Sequence, residues 1–330
     1  MTQHDRAYGC LAGIALGDAL GRATEFMTRE QIRAQFGWLD HFAEPMPQHP
    51  GCGAPLASIT DDTEQTILLA RALTTHRALT PKIVADALVA WARANDGLNN
   101  PYLGPSTRRA LARLIEGASP EEAGKGGTTN GAAMRVAAIG IANAGDVEGA
   151  LRDAVAASIP THNTRNAIQG AAAVACAVAA AMTPCATLER IVQAAQEGAR
   201  RGREFGAWSW ATPLERRIEL ATRLVCEAKS LEDALQSLYD FVGVGLDPAE
   251  SVASAIGIVV AAEGDPMRAI FAGANIGGDT DTIAAIAGGI CGAWRGIAAF
   301  DAAMVGEVER VNHLDLAGLA RELVKTHNDD

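Results

Sequence analysis

Apolar residues recur at three- and four-residue intervals along nearly the whole chain. Their spacing predicts helices over 5–20, 64–75, 81–94, 107–117, 146–158, 166–182, 188–201, 214–228, 230–239, 248–263, 266–274, 280–299 and 314–325. Within 64–75, Ile67, Leu68, Ala70, Arg71 and Leu73 keep helical register. The next helix starts on Thr80 as a cap and Pro81 in the first turn. The first helix carries Gly and Ala on one close-packed face. No stretch alternates β-branched residues as a strand would. The prediction is all-α: one compact multi-helix domain over 1–330. A Rossmann fold would need valine-rich strands between the helices. No fixed-period repeat supports a solenoid. The most apolar stretch, 167–182, is mostly alanine and includes Gln169, so it reads as a buried helix, not a span of roughly 20 strongly apolar residues.

Three stretches break the pattern: 39–59, rich in Pro and Gly; 124–130; and 202–213, which holds Trp208 and Trp210. Long loops leading into polar motifs are where sites are commonly assembled.

Composition sharpens the class. The 34 glycines let helices approach closely. A net charge of −11 argues against nucleic-acid and anionic-membrane partners and suits cations. The six cysteines form no CxxC pair, so they read as free, mostly buried thiols in a reducing compartment. The N-terminus, Met-Thr-Gln-His-Asp-Arg, lacks the features of a signal peptide, and the expected location is cytoplasmic.

Two acidic clusters stand out: Thr60-Asp61-Asp62-Thr63 and Gly277-Gly278-Asp279-Thr280-Asp281-Thr282. Each precedes a helical run. A helix cap is one explanation, with Asp61 and Glu64 in a capping pattern, or Asp279 or Thr280 capping the later helix. A cap needs one such residue, and each cluster supplies several. At a helix start, neighbouring carboxylates can converge. Asp61, Asp62, Asp279 and Asp281, with the Thr60 and Thr282 hydroxyls, make a hard oxygen donor set suited to Mg²⁺ or Mn²⁺ and not to zinc. Shared carboxylates could hold two ions about 3.5–4 Å apart. Gly277 and Gly278 allow a sharp turn or a close ligand. Glu25, just after a Gly-bracketed turn at Gly17-Asp18-Ala19-Leu20-Gly21, is either a solvated residue or a contributor to the same centre. His162, in an apparent polar turn at Pro160-Thr161-His162-Asn163, is either a hydrogen-bonding residue or part of the site. Trp208 and Trp210 serve either to stack a ring or to fill the core.

At these residues the chain resembles the ADP-ribosylglycohydrolase family, of the dinitrogenase reductase-activating glycohydrolase type. The motifs occur in order over most of the chain: Gly17 to Gly21 with Glu25-Phe26-Met27; Ser58 to Thr63; Asn130-Gly131-Ala132-Ala133-Met134-Arg135; Thr161-His162; and Gly277 to Thr282. The resemblance implies an all-α fold with two Mg²⁺ (or Mn²⁺) held by Thr60, Asp61, Asp62, Asp279, Asp281 and Thr282. It implies Glu25 beside the metals, with Glu25 or Asp62 as catalytic acid/base and a metal-activated water as nucleophile. Asn130, Gly131, Met134, Arg135, His162, Gly277 and Gly278 are assigned to substrate binding through the same motifs. The implied reaction is cleavage at ribosyl C1 of an ADP-ribosylated substrate, such as ADP-ribosyl-arginine on a protein. Its transition state would have oxocarbenium character.

Ala132-Ala133 are less polar than the matching pair of protein-directed members, and 202–213 matches no family motif. Both favour a first alternative, a hydrolase of a small N-ribosyl metabolite or nucleoside using the same centre. A second alternative is a non-catalytic, crystallin-like binding protein.

Overall fold

The computed structural model describes residues 1–95 and 97–328. Helices account for all the regular structure among them: α1 Gln3–Gly21, α2 Arg29–Phe36, α3 Asp61–Thr75, α4 Pro81–Ala94, α5 Pro105–Ile115, α6 Pro120–Ala123, α7 Ala137–Ala142, α8 Val147–His162, α9 Arg165–Ala181, α10 Leu188–Gly202, α11 Leu214–Glu227, α12 Leu231–Ser237, α13 Pro248–Ala261, α14 Pro266–Ala274, α15 Thr280–Arg295, α16 Ala302–Asn312 and α17 Leu316–Asn328. One isolated bridge pairs Thr164 with Ala207. The all-α expectation therefore holds. No helix among the described residues is long and apolar enough to cross a membrane.

The fold is organised around α1 and α15, which make its most extensive helix pairing. Gly9, Gly13, Gly17 and Gly21 recur every fourth residue and so share one stripe of α1. A methyl group on them would lie 2.6 Å from the Gly292 carbonyl oxygen, 2.2 Å from that of Gly288, 2.4 Å from that of Ala284 and 2.5 Å from Asp281 Cα. The two backbones touch along this seam, with no side chain between them. Its far end is tied by two hydroxyls. Thr280 Oγ1 donates to the Gly21 carbonyl (2.8 Å), and Thr24 Oγ1 donates to that of Ala274 (2.6 Å). Beside this pair, α9 is buried on nearly every face, as expected for a helix apolar all round.

Four helices escape the periodicity: α2, α6, α7 and α16. Helix α15 stops at Arg295, short of the expected 299, because Gly296 turns into the left-handed region with φ 73°. Gly17 and Gly21 lie inside α1 and serve the seam, not a turn. The Thr161-His162 pair occupies the last turn of α8, with Pro160 inside the helix, and His162 is fully buried. The cysteines are all free, but only Cys10, Cys176 and Cys291 are buried; Cys52, Cys185 and Cys226 are exposed.

Candidate active site

Helices α3 and α15 begin at one cavity of about 200 Å³. Their first turns place carboxylates where unpaired backbone N–H groups and the helix dipole favour negative charge. At α3 the cap is Thr60, whose Oγ1 accepts from the Asp62 N–H at 3.3 Å. Asp18 reinforces it from α1. Its carboxylate accepts the Thr60 N–H (3.1 and 3.0 Å), the Thr63 N–H (3.1 Å) and the Thr63 hydroxyl (2.5 Å). Capping thus falls to Thr60 and Asp18, and the Asp61 and Asp62 side chains are left to the cavity. Asp279 precedes α15 without capping it. Its Oδ2 instead accepts from Asn130 Nδ2 at 2.5 Å, and the same amide donates to Ser251 Oγ at 3.0 Å.

Glu25, Asp61, Asp62, Asp279, Asp281 and Thr282 form the acidic side of the cavity. Carboxylate oxygens of Glu25, Asp279 and Asp281 lie within 4.8 Å of one another. The lining also includes the apolar or aromatic residues Phe26, Tyr102, Leu103, Met134 and Leu246. Thr60 is buried at the α3 start and is not part of the cavity lining.

The acidic side is electrostatically crowded. Burial is the main cause that pushes Glu25 up to about 7, Asp61 to about 8 and Asp279 to about 6. Asp62 and Asp281 go well above the ordinary carboxylate range, again through burial first and neighbouring carboxylates second. Asp62 Oδ2 is buried without a hydrogen-bond partner. Clustered buried carboxylates are costly unless a cation or protons compensate them. The donors are oxygen alone, so the residues present fit a hard divalent cation such as Mg²⁺ or Mn²⁺.

Glu25 sits on a tight turn zipped to the Gly277-Gly278 segment. The Phe26 N–H donates to the Gly278 carbonyl (2.8 Å), and the Gly278 N–H donates to that of Met27 (2.9 Å). Gly278 has φ 71°, and a methyl on it would meet the Val244 carbonyl oxygen at 2.3 Å. Gly277 and Gly278 thus shape the backbone that aims Asp279 and are not part of the cavity lining.

Arg135 and His162 form a layer behind the wall. The fully buried Arg135 guanidinium donates to Gln65 Oε1 (2.6 Å) and to Thr161 Oγ1. Gln65 Nε2 then donates to Asp61 Oδ2 (2.8 Å), which fixes that carboxylate from behind. Thr161 Oγ1, accepting from Arg135, has its proton to give to His162 Nδ1 at 2.8 Å. This leaves His162 Nε2–H for Thr129 Oγ1, 3.1 Å away on the cavity wall. Burial drives the His162 imidazole well below its usual pKa, consistent with this neutral tautomer. Asn130, Gly131 and Met134 do line the cavity. His162 packs directly behind Gly131, where a methyl would meet its Cε1 at 2.9 Å.

Among the residues that the sequence did not single out, Asp18 and His49 hold parts of the acidic cluster in place. Asp18 lay inside a quoted motif, but no pattern marked it as the anchor of α3. His49 sits in the irregular 39–59 stretch. Its Nε2 lies 2.6 Å from Glu25 Oε2, and the Gly51 N–H donates to its Nδ1 at 2.9 Å. Trp208 and Trp210 are exposed and meet edge to face at 5.1 Å, so they do not fill the core.

The fold is all-helical and its cavity gathers carboxylates from two helix starts; sequence comparison names the family. The ADP-ribosylglycohydrolase family model matches residues 1–330, and the chain belongs to that family. It is 37% identical over 324 residues to the uncharacterized protein YegU of Escherichia coli K12, covering 97% of both chains. It is 32% identical over 143 residues to the ADP-ribosyl-(dinitrogen reductase) glycohydrolase of Rhodospirillum rubrum, covering 43% of this chain and 46% of that one. A solved structure titled ADP-ribosylglycohydrolase-related protein complex superposes with a TM-score of 0.71 at 26% identity, covering 98% and 99% of the two chains. The protein is accordingly an ADP-ribosylglycohydrolase-type hydrolase of glycosidic bonds.

Proposed function

We propose that the protein hydrolyses the ribosyl C1 bond of an ADP-ribosylated substrate, such as ADP-ribosyl-arginine, in the cavity at the starts of α3 and α15. The observation that carries this reading is the convergence of Glu25, Asp279 and Asp281 oxygens within 4.8 Å, in a cavity that Asp61 and Asp62 also line. Thr60, Asp61, Asp62, Asp279, Asp281 and Thr282 would hold divalent cations, one or two in number. When bound, such ions supply charge compensation, grip vicinal hydroxyls and acidify a water.

The chain's own groups account for the rest. Ribose hydroxyls suit the carboxylates of the lining, and its apolar and aromatic residues Phe26, Tyr102 and Met134 suit the less polar remainder of a ligand. Glu25 has one oxygen, Oε2, engaged by His49, which leaves Oε1 to take or give a proton at the scissile bond. Negative charge fixed around C1 stabilises an oxocarbenium-like transition state. Asn130 holds Asp279, and the Arg135–Gln65 pair holds Asp61, so these carboxylates keep their aim during turnover.

A second reading, hydrolysis of a small ribosylated metabolite or nucleoside, draws support from the lining itself. The described residues around the cavity include no lysine or arginine to meet a diphosphate. Release of ADP-ribose from ADP-ribosyl-arginine with Mg²⁺ or Mn²⁺, and its loss with EDTA, supports the first reading. Release of ribose from nucleosides alone supports the second. Absence of turnover on every ribosyl compound, despite bound cation, leaves the binding-protein alternative.

A further inference from the structure

We infer that His49 is the positioning residue of the reaction: as a neutral Nε2–H tautomer it holds Glu25 Oε2 and presents Oε1 to the scissile bond. The inference rests on the proposed role of Glu25.

Its geometry is specific. The Gly51 N–H points at His49 Nδ1 (2.9 Å), so that nitrogen must carry a lone pair and the ring proton sits on Nε2. Nε2 in turn faces Glu25 Oε2 at 2.6 Å, with the imidazole side chain 1% exposed. The segment that carries the ring is itself pinned. Arg22, buried one turn before Glu25, donates to the carbonyls of Gly51 (3.0 Å) and Pro55 (3.1 Å). Gly51 is closely surrounded, with Tyr102 Oη 2.5 Å and Arg22 Nη1 3.0 Å from where a methyl would stand. Phe26 and Tyr102 flank the ring, with centroids 5.9 and 6.4 Å from it. Arg22, Gly51, His49 and Glu25 therefore close a ring of contacts that begins and ends at the C-terminal end of α1. A carboxylate beside several others has no attractive partner to fix its rotamer; a neutral N–H donor supplies one without adding a competing cation.

The test compares variants in the full-length protein with Mg²⁺, using ADP-ribosyl-arginine and, in parallel, a ribonucleoside. His49→Ala is expected to lower kcat by about 10- to 100-fold, the usual cost of removing an outer hydrogen-bond partner, with KM unchanged within a factor of about two. His49→Gln, whose amide can donate where Nε2–H does, is expected to restore most of kcat. His49→Asn, too short to reach Glu25, is expected to resemble the alanine variant. Should His49→Ala fail to fold, the Gln and Asn variants carry the comparison. Equal loss in Gln and Asn, unchanged kcat in Ala, or a rise in KM alone overturns the inference. Nitrogen NMR of the ring gives a readout independent of turnover. A proton on Nε2 whose exchange protection vanishes in Glu25→Ala supports it, and a proton on Nδ1 overturns it. A wild-type protein inactive on both substrates refutes the proposed function, and the NMR result still decides the tautomer and its contact.

Discussion

Consider Gly17→Ala, in the seam between α1 and α15. The new methyl would stand 2.4 Å from the Ala284 carbonyl oxygen, where ordinary contact begins at 3.4 Å, so the helices must separate by about 1 Å. The obstacle is backbone, which cannot rotate away as a side chain can. Overpacking of this sort costs about 3 kcal/mol, the upper end of the usual range. Alanine's better helix propensity returns about 1 kcal/mol. The net expectation is a loss of about 2 kcal/mol. Gly306→Ala supplies the control. It is an exposed position inside α16 with nothing within 4 Å of the new methyl, so it should gain up to about 1 kcal/mol from propensity alone. One chemical change thus acts with opposite sign at two sites. Urea unfolding measures both. Activity discriminates further: Ala284 lies three residues beyond Asp281, so a shift of about 1 Å misplaces a carboxylate of the site and should reduce kcat/KM by about 100-fold, whereas Gly306→Ala should leave it unchanged. Comparable stability changes in the two variants, or full activity in Gly17→Ala, would refute the close-packed seam.

Asp279→Ala should remove turnover and the cation-induced rise in melting temperature while helical circular dichroism persists; full activity would sink the cation-site reading. Gly278→Ala faces both φ 71° and the Val244 carbonyl at 2.3 Å, and should cost about 2 kcal/mol or more in urea unfolding along with most activity. In EDTA, stability should fall as pH rises. Asp279, Glu25 and Asp61 have folded values of about 6, 7 and 8, above their ordinary 3.8, 4.5 and 3.8, so protons favour the folded state. Their contribution is full below about pH 4 and is lost through pH 6–8. Melting curves at pH 5.5 and 8.5 check this, and saturating Mg²⁺ or Mn²⁺ should restore most at the higher pH; a metal-free protein that melts higher at pH 8.5 contradicts it. Asp18→Asn should loosen the start of α3 and weaken cation affinity, measured by calorimetry, by about 10- to 100-fold.

Much of the fold was legible because amphipathic helices such as α10, which buries Ile191, Ala195, Gly198, Ala199 and Gly202, and α11, which buries Leu214, Ile218 and Ala221, print their burial as periodicity. The missed helices lack that print. α2 buries only Arg29 and Ile32, though its Thr28/Gln31 capping box was there to read. α7 spans six residues, too few to show a period. α16 buries only Val305 and Val308, too little to mark a face. Among site residues, those with telling chemistry in short motifs stood out, as Asp61 and Asp281 did. The turn expected around His162 is instead the last turn of α8: Pro160 suggests a break, yet a proline near a helix end forfeits only one backbone bond. His49 left no local signal, because its meaning comes from Gly51 beside it and Glu25 across a loop.

The zipper between Phe26 and Gly278 joins positions some 250 residues apart in the chain. A nascent polypeptide therefore carries the first acidic helix long before the second exists. Until synthesis passes residue 282, the emerging chain holds Asp61 and Asp62 without their counterparts. Hydrolytic competence thus arrives late and all at once, and products of premature termination should be silent however helical they become.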